Sequence, residues 1–129
     1  MNFYIKQYSD HPLLKFPLTQ KLMEKYNITH DMMENVAVTF SMYNEDEGEY
    51  EIANNSGDVF YRDKIEEIPY EDRYTLIYKF NKIETNKVGR YSGEFKLTFL
   101  EPYCGMITLP NNDYINIYIL KSETKVDIV

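Results

Sequence analysis

Residues 89–120 read GRYSGEFKLTFLEPYCGMITLPNNDYINIYIL, and their pattern decides the fold class. Tyr91, Phe95, Leu97 and Phe99 fall on one side of an extended chain, with Ser92, Glu94, Lys96 and Thr98 on the other. That period of two is the mark of a half-buried strand. Near the end Ile115, Ile117 and Ile119 alternate with Tyr114, Asn116 and Tyr118, so a β-branched face opposes an amphipathic one. Pro110-Asn111-Asn112-Asp113 is a turn, because proline presets φ and Asn and Asp tolerate left-handed backbone. The stretch predicts two long strands with a short one between them, in an antiparallel sheet dry on one face and wet on the other.

The same alternation extends outward. Phe3 to Tyr8 and Leu13 to Leu18 read as strands, and Pro17 places the second at a sheet edge. Thr19 to Tyr26 is the one helical piece, with Thr19 as cap and Leu22, Met23 and Tyr26 sharing a face. Asn35 to Tyr43 is a strand with Val36, Val38, Phe40 and Met42 inward. It turns at Asn44–Gly48 into Glu49–Ala53, where Tyr50 and Ile52 are expected on one face. Asn54–Gly57 is a second turn before Val59–Tyr61, and Arg62 to Arg73 is a charged loop. Tyr74 to Phe80 is the next strand. Many short strands and frequent turns predict one β-sandwich domain over residues 1–121, with a 19–34 insertion and a 122–129 tail. Its expected core is Val36, Val38, Phe40, Leu97, Phe99, Ile115, Ile117 and Ile119.

Composition narrows function. The net charge is −7, and thirteen acids against three bases lie between Asp31 and Arg73. Nucleic acid needs a basic footprint, so it is not expected as a partner. The acidic segment reads as a solvated face, with docking on a basic partner as the other reading. No run nears the ~20 apolar residues of a membrane span, and MNFYIKQYSDHPLL lacks the basic-then-apolar order of a signal peptide. Thirteen Tyr with no Trp suit both strands and contact surfaces.

Catalytic, cofactor-binding and metal residues are not assigned. Cys104 is the single cysteine, and His11 and His30, the only histidines, lie in separate linkers without a third orienting group. The acids Glu45, Asp46, Glu47, Glu49 and Glu51 invite calcium, but Tyr43 stands where a helix–loop–helix calcium loop needs its first acid. A solvated hairpin turn is the reading adopted. An enzyme is not expected.

Several segments, taken in order, resemble a known family. They are Ile5-Lys6-Gln7, Asp10 and Pro12-Leu13-Leu14; Val38-Thr39-Phe40-Ser41-Met42 with the acidic turn to Gly48; Gly89-Arg90-Tyr91-Ser92-Gly93-Glu94-Phe95; and Gly105 to Asn111 followed by Tyr114-Ile115-Asn116-Ile117. Over Phe3 to Leu120 the chain resembles the N-terminal domain of the phage baseplate upper protein family and related small domains of tailed-phage structural proteins. The resemblance implies an immunoglobulin-like antiparallel β-sandwich; the one short helix, read from Thr19 to Tyr26, lies in an insertion where the chain departs from the family. The resemblance also implies a non-enzymatic adaptor or decoration subunit at baseplate, fibre attachment, head or neck. Such a subunit is assembled in the bacterial host cytoplasm, resides in the virion in multiple copies, and binds other phage structural proteins through its surface. The alternative from another class is a carbohydrate-binding β-sandwich whose exposed aromatics stack on sugar rings.

Partner choice is expected where the chain departs from the family pattern, at the Arg62–Arg73 loop first and the 19–34 insertion second. The expected interface residues are Tyr61, Arg62, Ile65, Ile68, Tyr70, Arg73 and Tyr74, because Tyr and Arg are enriched at binding hot spots and the isoleucines are out of place in a charged loop.

Overall fold

The computed structural model describes residues 1–61 and 74–122. Its elements in chain order are β1 (Asn2–Lys6), β2 (Leu14–Leu18), α1 (Gln20–Lys25), α2 (His30–Met33), β3 (Ala37–Asn44), β4 (Glu49–Ser56), β5 (Asp58–Tyr61), β6 (Tyr74–Tyr78), β7 (Gly89–Phe99), β8 (Gly105–Leu109) and β9 (Ile115–Leu120). They form two sheets, ordered β1-β9-β7-β3-β4 and β2-β6-β5. The eleven-residue β7 is the axis of the larger one. One of its sides is paired along most of its length by β3. Its other side is shared: β9 takes Gly89–Gly93 and β8 takes Phe95–Phe99. The turn at Pro110–Asp113 carries the chain from β8 to β9, where pairing with β7 resumes.

This is an all-β sandwich of immunoglobulin type. β3, β7 and β9 stand in the order of the C, F and G strands, with β4 extending that sheet as C′ and β2, β6 and β5 forming the opposed B-E-D sheet. Every pairing among the described residues is antiparallel except β1 with β9, which is parallel. A wholly antiparallel sheet was expected. No turn joins these two strands, since they come from opposite ends of the described chain, so local turn signals carried no word of their pairing.

The inward faces make the core. β7 buries Tyr91, Phe95, Leu97 and Phe99, β9 buries Ile115, Ile117 and Ile119, and β3 buries Val38, Phe40 and Met42. From the other sheet come Leu14, Phe16, Leu18, Tyr74, Leu76 and Tyr78. Antibody domains tie B to F with a disulfide. Here the one cysteine, Cys104, is exposed, and aromatic rings bridge the layers instead. Phe16 meets Phe95 at 6.3 Å between ring centroids, and Phe40 stacks on Tyr78 at 4.4 Å. Val36 alone departs from the expected core: it precedes β3 and is half-buried.

At the start of β7 the Tyr91 hydroxyl donates to the Lys87 carbonyl at 2.7 Å. A tyrosine at this corner, bonded to backbone just upstream, is a hallmark of the fold. Burial pushes the phenols of Tyr91 and Tyr78 up to about 12, from an ordinary value of 10.0. The folded state thus favours the neutral phenol. Its stabilising share is complete below about pH 10 and is lost as pH rises through about 12. The melting temperature should therefore fall steeply between pH 10 and 12, with less of a fall in Tyr91→Phe. An unchanged melting temperature across that window would show that these phenols ionise freely.

The insertion holds two short helices where one was expected. Thr19 caps α1 by accepting from the Leu22 amide at 3.2 Å, as the sequence indicates. Thr29 caps α2, accepting from the Met32 amide at 3.3 Å. A single turn such as HDMM is too brief to display a helical period, so α2 leaves no periodic signal in the sequence. Met23, Ile28 and Met33 sink into the core and tie both helices down.

Strand β4 brings the largest correction. It runs on to Ser56 through the segment expected to turn, and carries one extra residue at two places. Met42 faces Ile52, yet the next residue, Tyr43, faces Tyr50, so Glu51 is squeezed out of register. A bulge reverses the facing of whatever follows it. Ile52 is buried and Tyr50 is turned outward, 60% exposed, rather than sharing its face.

Candidate functional site

That reversal completes an aromatic surface on the outer face of the larger sheet. Alternation along β3 and β9 aims Tyr43 and Tyr118 outward, since Met42, Ile117 and Ile119 beside them are buried. Tyr4 on β1 lies opposite Tyr118, and their rings stack at 5.0 Å. Tyr43 lies opposite Tyr50 with ring centroids at 5.2 Å, edge to face. Tyr114, at the entry to β9, is also exposed. Five tyrosines from four strand segments thus stand on one face.

Between three of them is a groove of about 390 Å³, lined by Ser41, Tyr43, Glu45, Tyr50, Ser92, Glu94 and Tyr114. Its parts come from β3, β4, β7 and the entry to β9. The sheet register holds them: Ser41 faces Glu94 and Tyr43 faces Ser92 across β3 and β7. Glu45 is placed by the turn after β3. There buried Asn44 accepts from the amides of Asp46 at 3.0 Å and Glu47 at 3.1 Å, and Gly48 supplies a φ of +70 that side chains resist. Glu45 accepts a hydrogen bond from Ser92, and Glu47 pairs with Lys87. Glu94 has no ion pair among the described residues. Aromatic faces, hydroxyls and two carboxylates give this groove π-faces and hydrogen-bond acceptors, with no basic side chain in its lining among the described residues.

The residues expected at an interface are only partly within view. Arg62, Ile65, Ile68, Tyr70 and Arg73 lie outside the described residues. Tyr61 ends β5 at 39% exposure. Tyr74 opens β6 and is buried, its hydroxyl hydrogen-bonded to His30 Nδ1. The Tyr61 ring lies 4.8 Å from that of Tyr74 and 5.2 Å from that of His30. Tyr61 and Tyr74, which flank residues 62–73, therefore meet His30 of the 19–34 segment at one point.

His11 bonds Asp10 at 2.8 Å, and that bond holds the Asp10 carboxyl below its ordinary value. Cys104 sits exposed on its turn with φ 44, and neither imidazole is hydrogen-bonded to it among the described residues. Those residues also contain no cluster of three or more His, Cys, Asp or Glu suited to a metal ion. Millimolar calcium, or a chelator, is expected to leave the melting temperature unchanged, since a ligand of the native state alone would raise it. A calcium-dependent rise would reassign the Glu45–Glu51 turn.

The groove is not legible in residue order because a strict period of two sets Tyr50 on the face of Ile52, whereas the extra residue Glu51 turns it outward. The residue type at Glu51 carries no mark of the extra position; Asn54, at φ 52, belongs to the other irregularity, opposite Phe40 to Met42.

Fold and face together define an immunoglobulin-like sandwich that presents an aromatic sheet surface. No protein-family profile, curated protein or solved structure matches this chain. No helix among the described residues is long and apolar enough to cross a membrane.

Proposed function

We propose that the chain is a non-enzymatic structural subunit of a tailed-phage particle, an adaptor or decoration protein that binds other virion proteins through its surface and is present in multiple copies. The observation that supports a surface-binding role is the row of Tyr4, Tyr118, Tyr43, Tyr50 and Tyr114 on one sheet face. Tyrosine contributes large rigid area with a wet tip, and it is enriched where proteins meet. The phage assignment rests on the ordered motifs from Ile5 to Ile117. Mass spectrometry of purified particles should find the chain at several copies per virion. Its absence from them would overturn the assignment.

The carbohydrate-binding reading draws on the groove, where Tyr rings beside Glu45 and Glu94 resemble a sugar platform in kind. Hits on a glycan array would favour it, and a blank array would remove it.

A further inference from the structure

We propose that the groove between Tyr43, Tyr50 and Tyr114 seats an arginine side chain of a protein partner. The proposal rests on the reading of the chain as a protein-binding module and names what its surface recognises.

Charge complementarity selects the occupant. Glu45 and Glu94 border the groove and, among the described residues, no basic side chain lines it. Glu47 lies in the same turn as Glu45 but is neutralised by Lys87, whereas Glu94 is left without an ion pair among the described residues. A carboxylate beside exposed tyrosine rings offers a cation two kinds of attraction, ion pairing and the negative face of the π-system. The whole chain, at −7, adds a long-range pull on a positive partner. A neutral sugar would stack and hydrogen-bond but would gain nothing from the charge.

Arginine fits better than lysine. Its guanidinium is planar, weakly hydrated and able to stack on a ring while its edge reaches carboxylates, and a hydrated ammonium does neither as well. Hot-spot residues also tend to pair across interfaces, and Tyr and Arg lead that class. Tyr43 and Tyr50, both lining the groove, are set edge to face at 5.2 Å, so their rings stand in two orientations.

The test titrates the full isotope-labelled chain with four probes, following backbone amides by NMR. The probes are blocked arginine, blocked lysine, blocked citrulline (the neutral isostere of arginine) and chitotriose. Arginine should give saturable shifts centred on Tyr43, Tyr50, Ser92 and Glu94, with citrulline about tenfold weaker. Glu94→Gln and Tyr50→Ala should each weaken arginine binding about three- to tenfold. Both positions are on the outer face, and an unchanged melting temperature would confirm that each variant is folded. Equal binding of citrulline, equal binding of lysine, binding of chitotriose alone, or shifts scattered over Glu49, Glu51 and Asp58 would each overturn the proposal. No saturable shift at all would do the same. The virion assignment is judged separately: a chain found in particles whose groove ignores arginine keeps that assignment and loses this one.

Discussion

Phe40→Ala is expected to destabilise the domain by about 3–5 kcal/mol, the usual range for deleting a fully buried ring. Phe40 is 0% exposed and touches both layers. Its ring stacks on Tyr78 at 4.4 Å, meets Phe95 at 5.1 Å and takes the edge of Phe80 at 5.8 Å. Removing it opens a cavity at the joint that replaces the inter-sheet disulfide of antibody domains. Rigid strands on both sides limit how far the site can collapse. A loss of that size is a large part of the ~5–15 kcal/mol that holds a typical domain together. Denaturant unfolding should show the midpoint drop with little change in slope. A cost under about 1 kcal/mol would mean that the two sheets are held together elsewhere.

Gly93→Ala tests the opposite fault, too much volume at the same place. A Cβ on Gly93 would lie 2.6 Å from Ile117 Cδ1 and 3.0 Å from the Phe40 ring. Both neighbours are fully buried, so neither has open space to move into. Overpacking of this kind costs about 1–3 kcal/mol. The sharper test is the double variant with Ile117→Val, which removes the clashing methyl. Alone, Ile117→Val should cost about 0.5–1.5 kcal/mol. Together the two should cost clearly less than their sum, since neighbours that share a space are coupled. Strict additivity would show that the added methyl is absorbed without pressing on Ile117.

Gly93 lies two residues after Tyr91, at the place where antibody domains carry the second cysteine of their disulfide. The missing side chain and the large ring beside it are two halves of one solution: Phe40, together with Ile117, occupies the volume that β7 leaves empty at Gly93. Neither half can be read alone. In the sequence Gly93 looks like a weak point in a strand, and Phe40 like any inward aromatic.

The faces of β7 and β9 were legible from residue order because pleating imposes a period of two on every extended segment. Phe95, Leu97, Ile115, Ile117 and Ile119 are buried as their alternation required, and Thr19 caps α1 by the hydroxyl that marks it. These are local properties, decided by a few neighbouring residues. The pairing of β1 with β9, the outward turn of Tyr50 and the meeting of Ser41, Glu94 and Tyr114 in one groove are not local. Each depends on register between strands far apart in the chain, and a single extra residue such as Glu51 changes which face a side chain occupies. Alternation by itself determined a sandwich and most of its core; the binding face was decided by the bulge in β4 and the register of β3, β7 and β9, because pleat periodicity is written in neighbours and strand register in distant contacts.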